Sequence, residues 1–531
     1  MNVLIIMSDE HSNNAMGCSG HQIVRTPVLD RLAGEGAMFT QAYTNCPVCT
    51  PARASFFTGR YVHELGTWDN STPYDGKIKG MSQHLAEHGQ TMHSIGKLDL
   101  HPDGQYDGLV ASRPGHRSRI DVGAFFRESG EPKPLVEERY NRIGIREGLS
   151  NDQRVLEETV QWLKQRSNKQ QPEIGAGTST SMGLETGAGT GNGSGTGAGI
   201  SSGSEMGSGT GIEAETDKPW MLYVGFSHPH FPFYVKQHYW DLYNELIKEV
   251  PDFLNRPFTE LNEPLRALRH YFRSDVLDEE MIRRMLVGYY ALTNELDDNI
   301  GTILRTLEEE GLDEDTLIIY TSDHGEQLGR HGLWFKCSMY EETSNVPMIV
   351  KGPHVAPGTR VDQPVSLVDL FPTVCEALGL PLPENVPGRS LLTLAGGEED
   401  PSRNDFAFSE YHAHGMPVGM YMIRWQQWKY VYFTDGIAPQ LFDLEHDPEE
   451  MIDLAGRAES VASIGEVLLE CNKRLRSVCD PEEAENRARE FQAKTKRELG
   501  LDSFTIGDPA SSGYVDKKLK VPHPEYIASL K

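Results

Sequence analysis

Cys49 opens the run Cys49-Thr50-Pro51-Ala52-Arg53-Ala54-Ser55-Phe56-Phe57-Thr58-Gly59-Arg60, and its neighbours give the thiol a chemical setting. Pro51 suits the first turn of a helix, where its missing N–H costs nothing, and the residues after it continue that helix. Cys49 then stands at a helix N-terminus, where unpaired N–H groups and the positive end of the dipole favour an anion. Arg53, one turn on, adds a fixed cation facing the same way. A nucleophile set against a tetrahedral anion is the chemistry this spacing suits. Such chemistry favours a divalent cation and flanking basic groups, which take up charge on the peripheral oxygens. Asp9, Glu10 and Asp323 offer carboxylates, with His324 beside them, a hard donor set for calcium first, or magnesium or manganese. Cys46-Pro-Val-Cys49 is formally C-x-x-C, but it has no second pair at zinc spacing and no thioredoxin-like surround.

Four apolar or β-branched runs must position these groups. Asn2 to Met7 runs into Ser8-Asp9-Glu10-His11, and Thr316 to Thr321 into Ser322-Asp323-His324-Gly325. Trp220 to Phe226 runs into Ser227-His228-Pro229-His230, and Met92 to Gly96 into Lys97. Such runs read as strands buried on both faces, in a large, mostly parallel sheet sandwiched by helices. In sheets of this kind function gathers at the strands' carboxyl ends. Asp152 to Gln165 and Met285 to Glu310 have helical periodicity, the latter with a stripe of Leu286, Tyr290, Ile300, Ile303, Leu304 and Leu307. An α/β layered domain follows.

After Gly388-Arg389-Ser390-Leu391-Leu392 the pattern changes. Phe406 to Tyr411, Met420 to Trp425, Lys429 to Phe433 and Gln440 to Phe442 predict a small antiparallel sheet, and Val461 to Val478 and Glu482 to Leu499 predict helices. The expected division is a catalytic domain over 1–395, a smaller C-terminal α+β subdomain over 396–500 and a tail over 501–531. Ile174 to Thr216 is nearly all Gly, Ser, Thr and Ala with a few Glu, a flexible insert without the apolar residues for a core.

The 531 residues can bury a sizeable site, and 78 Asp plus Glu against 50 Lys plus Arg give a formal net charge of −28. That charge argues against nucleic acid or an anionic membrane as partner. Seven scattered cysteines make no disulfide framework. Met1-Asn2-Val3-Leu4-Ile5-Ile6-Met7 lacks a basic n-region and a cleavage site, and no stretch approaches the roughly 20 apolar residues of a membrane span. The expected location is the cytoplasm.

The Cys49-x-Pro51-x-Arg53 core with Thr58-Gly59-Arg60 closely resembles the sulfatase signature. Further similarity lies in Leu296-Asp297-Asp298-Asn299-Ile300-Gly301, Thr321 to Gly325, Leu328 to Trp334, Tyr340-Glu341-Glu342, Asp369 to Thr373 and Leu441 to Pro448. The resemblance implies the alkaline phosphatase-like fold, and a Cys49 oxidised to formylglycine by a formylglycine-generating enzyme. The hydrated aldehyde then attacks the sulfur of a sulfate ester. It also implies metal ligation by Asp9, Glu10, Asp323, His324 and the matured residue 49, with Arg53 on the hydrate and Lys97 and Lys336 on sulfate oxygens. His230 or Lys336 would protonate the leaving oxygen. His324 in place of Asn is similar to the branch containing choline sulfatases and phosphonate monoester hydrolases. In that branch Asn70 matches a substrate-contacting Asn, and His228 joins His230 in a His-Pro-His.

Two positions depart from the family. Glu10 is neither the common Asp nor the branch's Gln. In Gly96-Lys97-Leu98-Asp99-Leu100-His101, Asp99 stands where the histidine usually stands. This leaves His101 as a substitute base, and Asp99 either to orient it or to bind a cationic substrate. The implied substrate is a small carbohydrate, choline or aryl sulfate. The alternatives are a phosphonate monoester or phosphodiester hydrolase on the same site, and an inactive anion-binding protein. Tails of related enzymes reach neighbouring subunits, so a homo-oligomer is a further expectation.

Overall fold

The computed structural model describes residues 1–112, 119–121, 127, 136–170, 218–498, 500 and 514–516. The insert over 174–216 and nearly all of the tail lie outside the described residues. The main sheet has eight strands, numbered along the chain: β1 Asn2–Asp9, β2 Ala37–Phe39, β3 Met92–Gly96, β4 Leu109–Ser112, β5 Met221–Pro229, β6 Thr316–Ser322, β7 Met348–Lys351 and β8 Thr359–Val361. Their spatial order is β8-β2-β7-β6-β1-β5-β3-β4. Only β7 runs against the others.

β1 lies at the centre because both its faces are apolar. Side chains alternate across a strand, so Val3, Ile5 and Met7 enter one core and Leu4 and Ile6 the other. The first core is closed by Phe56 and Phe57 of helix α1 (Cys49–Thr58) and by Leu370, Phe371 and Val374. The second is closed by Val155 and Leu163 of α2 (Asn151–Gln170) and by Leu296, Ile300, Ile303 and Leu307 of α3 (Glu279–Glu309). The expected single stripe understates α3. Every residue from Met285 to Asp297 is buried, because α2, the helix Gln237–Leu246 and the strand Phe233–Val235 all pack on it. Asp278 starts the helix by accepting the N–H of Met281.

A separate meander follows: β9 Phe406–Tyr411, β10 Met420–Trp425, β11 Trp428–Phe433 and β12 Gln440–Asp443. Two helices, α4 (Ala462–Val478) and α5 (Pro481–Glu498), complete it. Its apolar residues Phe408, Tyr421 and Phe442 belong to one cluster with Tyr43, Trp68 and Tyr289, so the small sheet is packed into the large layer. None of the seven cysteines is disulfide-bonded. No helix among the described residues is long and apolar enough to cross a membrane.

Candidate active site

Asp9, Glu10, Cys49, Arg53, Lys97, His230, Asp323, His324 and Lys336 meet where β1, β3, β5 and β6 end. β5 continues to Pro229, three residues beyond its apolar run, and carries His228 to the rim. Cys49 is the first residue of α1, 1% exposed. Its Sγ lies 3.2 Å from His324 Nε2, 3.6 Å from Asp9 Oδ1 and 3.5 Å from Lys336 Nζ. Burial opposes a thiolate, but Lys336, Lys97 and His324 outweigh it and hold the thiol well below its ordinary value.

Arg53 is buried and uses its whole fork. Nε donates to Asp323 Oδ2 at 2.8 Å, Nη1 to the Lys97 carbonyl and the Tyr223 hydroxyl, each at 2.7 Å, and Nη2 to the Ser8 carbonyl at 3.3 Å. It thereby ties α1 to the carboxyl ends of β1, β3 and β6 and to Tyr223 within β5. The close approach of β3 and β5 at this point requires Gly225, since a Cβ there would come within 2.1 Å of the Lys97 carbonyl oxygen.

Asp9, Cys49, Asp323 and His324 each bring one donor atom to within 4.8 Å of the other three, and all four residues are buried. Two carboxylates, an imidazole and the Cys49 sulfur are a donor set that could hold a divalent cation. Burial opposes charge on His324, yet chiefly through Asp323 it is pushed up to about 9. Asp323 is raised by its own burial against the pull of Arg53.

Glu10 lies beside this set. Its backbone is left-handed, φ 69°, a conformation that costs free energy and is retained where neighbours enforce it. Tyr289 donates to its carbonyl at 2.8 Å, and its N–H donates to Asp323 Oδ1 at 3.2 Å. Its two carboxylate oxygens are buried without a hydrogen-bond partner and face Lys336 Nζ at 3.3 Å and His230 Nε2 at 3.4 Å. Orphaned oxygens of this kind are what a bound cation satisfies.

Lys97 pairs with Asp9 and lies 3.5 Å from Asp99 Oδ2, so Asp99 does reach the site. His101 is held in a turn of its own, where Nδ1 accepts the N–H of Asp103 at 3.1 Å and its backbone N–H donates to Tyr74. Lys336 Nζ lies 2.6 Å from His230 Nε2. His230 Nδ1 bonds the Phe231 carbonyl, and a carbonyl only accepts, so Nδ1 carries the proton and Nε2 accepts from the ammonium. Asn70 Oδ1 accepts the N–H of Thr50 at 3.1 Å and so caps the first turn of α1. His228 stands 3.6 Å from Asp152 Oδ2.

Several contributors carry no sequence signal. Asp152 looks like an ordinary first-turn acid of α2, yet it accepts the N–H groups of Ser227 and His228 at 2.7–3.0 Å. Tyr223 sits inside an apolar run. Glu326 Oε1 accepts the N–H of Phe335 at 2.6 Å and of Leu328 at 3.2 Å, fixing the loop that delivers Lys336.

The sulfatase family profile matches residues 1–174 and 208–380, and a profile described as N-sulphoglucosamine sulphohydrolase, C-terminal, matches 329–478. Arylsulfatase K of Bos taurus is 30% identical over 485 residues, 87% of this chain and 79% of that protein. Choline-sulfatase of Rhizobium meliloti (strain 1021) is 29% identical over 467 residues, 86% of this chain and 82% of that protein. The fold is similar to the phosphonate monoester hydrolase of Agrobacterium radiobacter, with TM-score 0.65, 22% identity and coverage of 90% of this chain and 95% of that one. It is equally similar to a protein solved with its substrate D-glucosamine-2-N,6-O-disulfate, at TM-score 0.65, 20% identity and 91% and 99% coverage. With the family profile spanning well over half of its length and the signature residues gathered at one buried site, this chain belongs to the sulfatase family and is a sulfuric ester hydrolase.

Proposed function

We propose that the chain hydrolyses a small sulfate ester through a formylglycine made from Cys49, with a divalent metal held by Asp9, Glu10, Asp323, His324 and residue 49. The observation that carries this reading is the placing of Cys49 at the head of α1, inside the four-donor group and under Lys336. The matured residue would supply a hydrated aldehyde: one hydroxyl would attack sulfur as the alcohol leaves, and the other, on losing its proton, would re-form the aldehyde and release sulfate. The cation supplies charge for the ester's peripheral oxygens.

The chain's own residues do the rest. Asp323, which is buried between Arg53 and His324, would accept the attacking hydroxyl's proton. Arg53 holds the hydrate and fixes the strand ends around it. Lys97 and Lys336 bind sulfate oxygens, and the Lys336–His230 pair, at 2.6 Å, passes a proton to the leaving oxygen. Asp99, beside Lys97, gives the pocket wall a carboxylate suited to an ammonium-bearing or polyhydroxylated alcohol, with His228 contributing from the end of β5 and Asn70 from the turn beside α1. In this reading residues 1–395 carry the chemistry and 396–500 brace it, since Gln492 of α5 donates to Asp69 Oδ2 at 3.0 Å next to Asn70.

A phosphonate monoester or phosphodiester is the second reading, favoured by His324 as the fourth donor. The test is peptide mass of the Cys49 fragment from protein made with a formylglycine-generating enzyme, beside turnover of paired aryl sulfate and aryl phosphonate esters. An aldehyde mass with faster sulfate release is expected. Faster phosphonate turnover would establish the second reading, and a matured, metal-loaded but inert protein would overturn both.

A further inference from the structure

A second group of metal-type ligands lies far from this centre in the fold. The short helix Met81–Glu87 leads into the amino end of β3, whereas the active site is at the carboxyl ends. Glu87 and His88 follow His84 by three and four residues, the spacings that bring each beside it on a helix surface. One donor atom from each lies within 4.8 Å of the others, and the two imidazole centroids are 4.7 Å apart.

The hydrogen bonds decide which nitrogens are available. His84 Nε2 is 2.9 Å from the Pro381 carbonyl, and His88 Nδ1 is 2.8 Å from the His84 carbonyl. Carbonyls only accept, so those nitrogens carry protons, and on each ring the other nitrogen is the one that can offer a lone pair. A ring whose far N–H is anchored on a backbone carbonyl is the usual form of a metal-bound histidine, with tautomer and orientation fixed in advance. Burial keeps His84 below its ordinary value and hence neutral near pH 7. Glu87 adds a carboxylate. It is paired with Lys79, both ends about half exposed, and an exposed pair of that kind is given up readily.

We propose that His84, Glu87 and His88 bind one divalent cation of the zinc class. Two imidazole nitrogens and one carboxylate suit a borderline ion with an open fourth position, unlike the oxygen-rich set at Cys49. The site does not depend on the sulfate-ester reading. Its occupant would fasten the end of the helix Met81–Glu87 to the Pro381 segment, which His84 already touches through its ring N–H.

The experiment titrates chelator-stripped full-length protein with Zn²⁺, counting bound metal and following the melting temperature. His88 is exposed, so His88→Gln keeps the fold. The wild type is expected to hold one more zinc per chain than His88→Gln and to gain melting temperature with zinc where the variant gains none. Glu87→Gln should bind about tenfold more weakly or worse. Equal zinc counts in wild type and His88→Gln, or filling only at millimolar zinc, overturn the proposal and leave an adventitious ion only.

Discussion

Asn70 Oδ1 accepts the backbone N–H of Thr50, the residue after Cys49, at 3.1 Å. The residue before the helix, Val48, has no side-chain oxygen to offer, so a carboxamide from a neighbouring turn does the capping. Replacing Asn70 by Ala is expected to cost about 1 kcal/mol of stability, the usual worth of such a cap. Activity should fall further than stability, because the freed N–H adjoins the nucleophile. Urea melts beside kcat and KM on an aryl sulfate check this. Gln492→Ala, which frees Asp69 in the same turn, should be less than additive with Asn70→Ala. Full additivity in both readouts would show that the two contacts act separately.

Arg53 is the next test. Arg53→Met leaves the Asp323 carboxylate buried without its partner, an effect that typically costs about 3–5 kcal/mol. The melt should drop accordingly and turnover should vanish. Arg53→Lys keeps the charge but cannot reach Asp323, Ser8, Tyr223 and the Lys97 carbonyl at once, so it should remain folded with most of its activity lost. An active lysine variant would reduce Arg53 to a charge.

Much of this site was legible beforehand, for a physical reason. Strands buried on both faces must be continuously apolar, so β1, β5 and β6 stand out, and the polar residues that interrupt them mark their carboxyl ends. Asp9, Lys97, His230 and Asp323 stand at or just past such ends. β2, β4, β7 and β8 have three or four residues each, too few for a pattern, and only their partners define them. Asp152 and Glu326 were missed because each spends its carboxylate on backbone N–H groups distant in sequence, and nothing about an isolated acid reveals that. The contact between α5 and the Asn70 turn joins residues 423 positions apart and leaves no local trace.

Glu10 offers a test of the metal set. Glu10→Gln keeps the shape and removes the charge from two buried oxygens that have no hydrogen-bond partner. Metal affinity, measured by calcium or manganese titration of stripped protein, should fall by about tenfold or more. An unchanged affinity would confine Glu10 to being the counter-ion of Lys336.

The contacts between α5 and the small sheet predict a pH window. Burial opposes charge on Glu410, but His63 and His412 hold it from 4.5 down to about 2. Burial likewise opposes Glu485, which Arg127 and His412 bring down to about 2. Lowered carboxylates contribute stability that is present above 4.5 and lost as pH falls through about 2. Burial would depress His63 and His412, yet their carboxylate partners raise both above 6.5. Their stabilisation is present below 6.5 and lost as pH rises through the raised values. Denaturant stability should therefore peak between about 4.5 and 6.5, and Glu410→Gln should flatten both limbs. A variant with the wild-type pH profile would discount the cluster.

β1 is made before its neighbours β5 and β6, which begin only at Met221 and Thr316. His324 and Lys336, which close over Cys49, follow it by 275 and 287 residues. At about 5–20 residues per second, a ribosome needs on the order of fifteen seconds to a minute to deliver them. Until then Cys49 is open to a modifying enzyme, and afterwards it is 1% exposed. On the formylglycine reading, maturation and folding compete for the same interval. Folded, unmodified protein should resist the generating enzyme while the same chain in urea-unfolded form accepts it, so the rate of translation would set the yield of active enzyme.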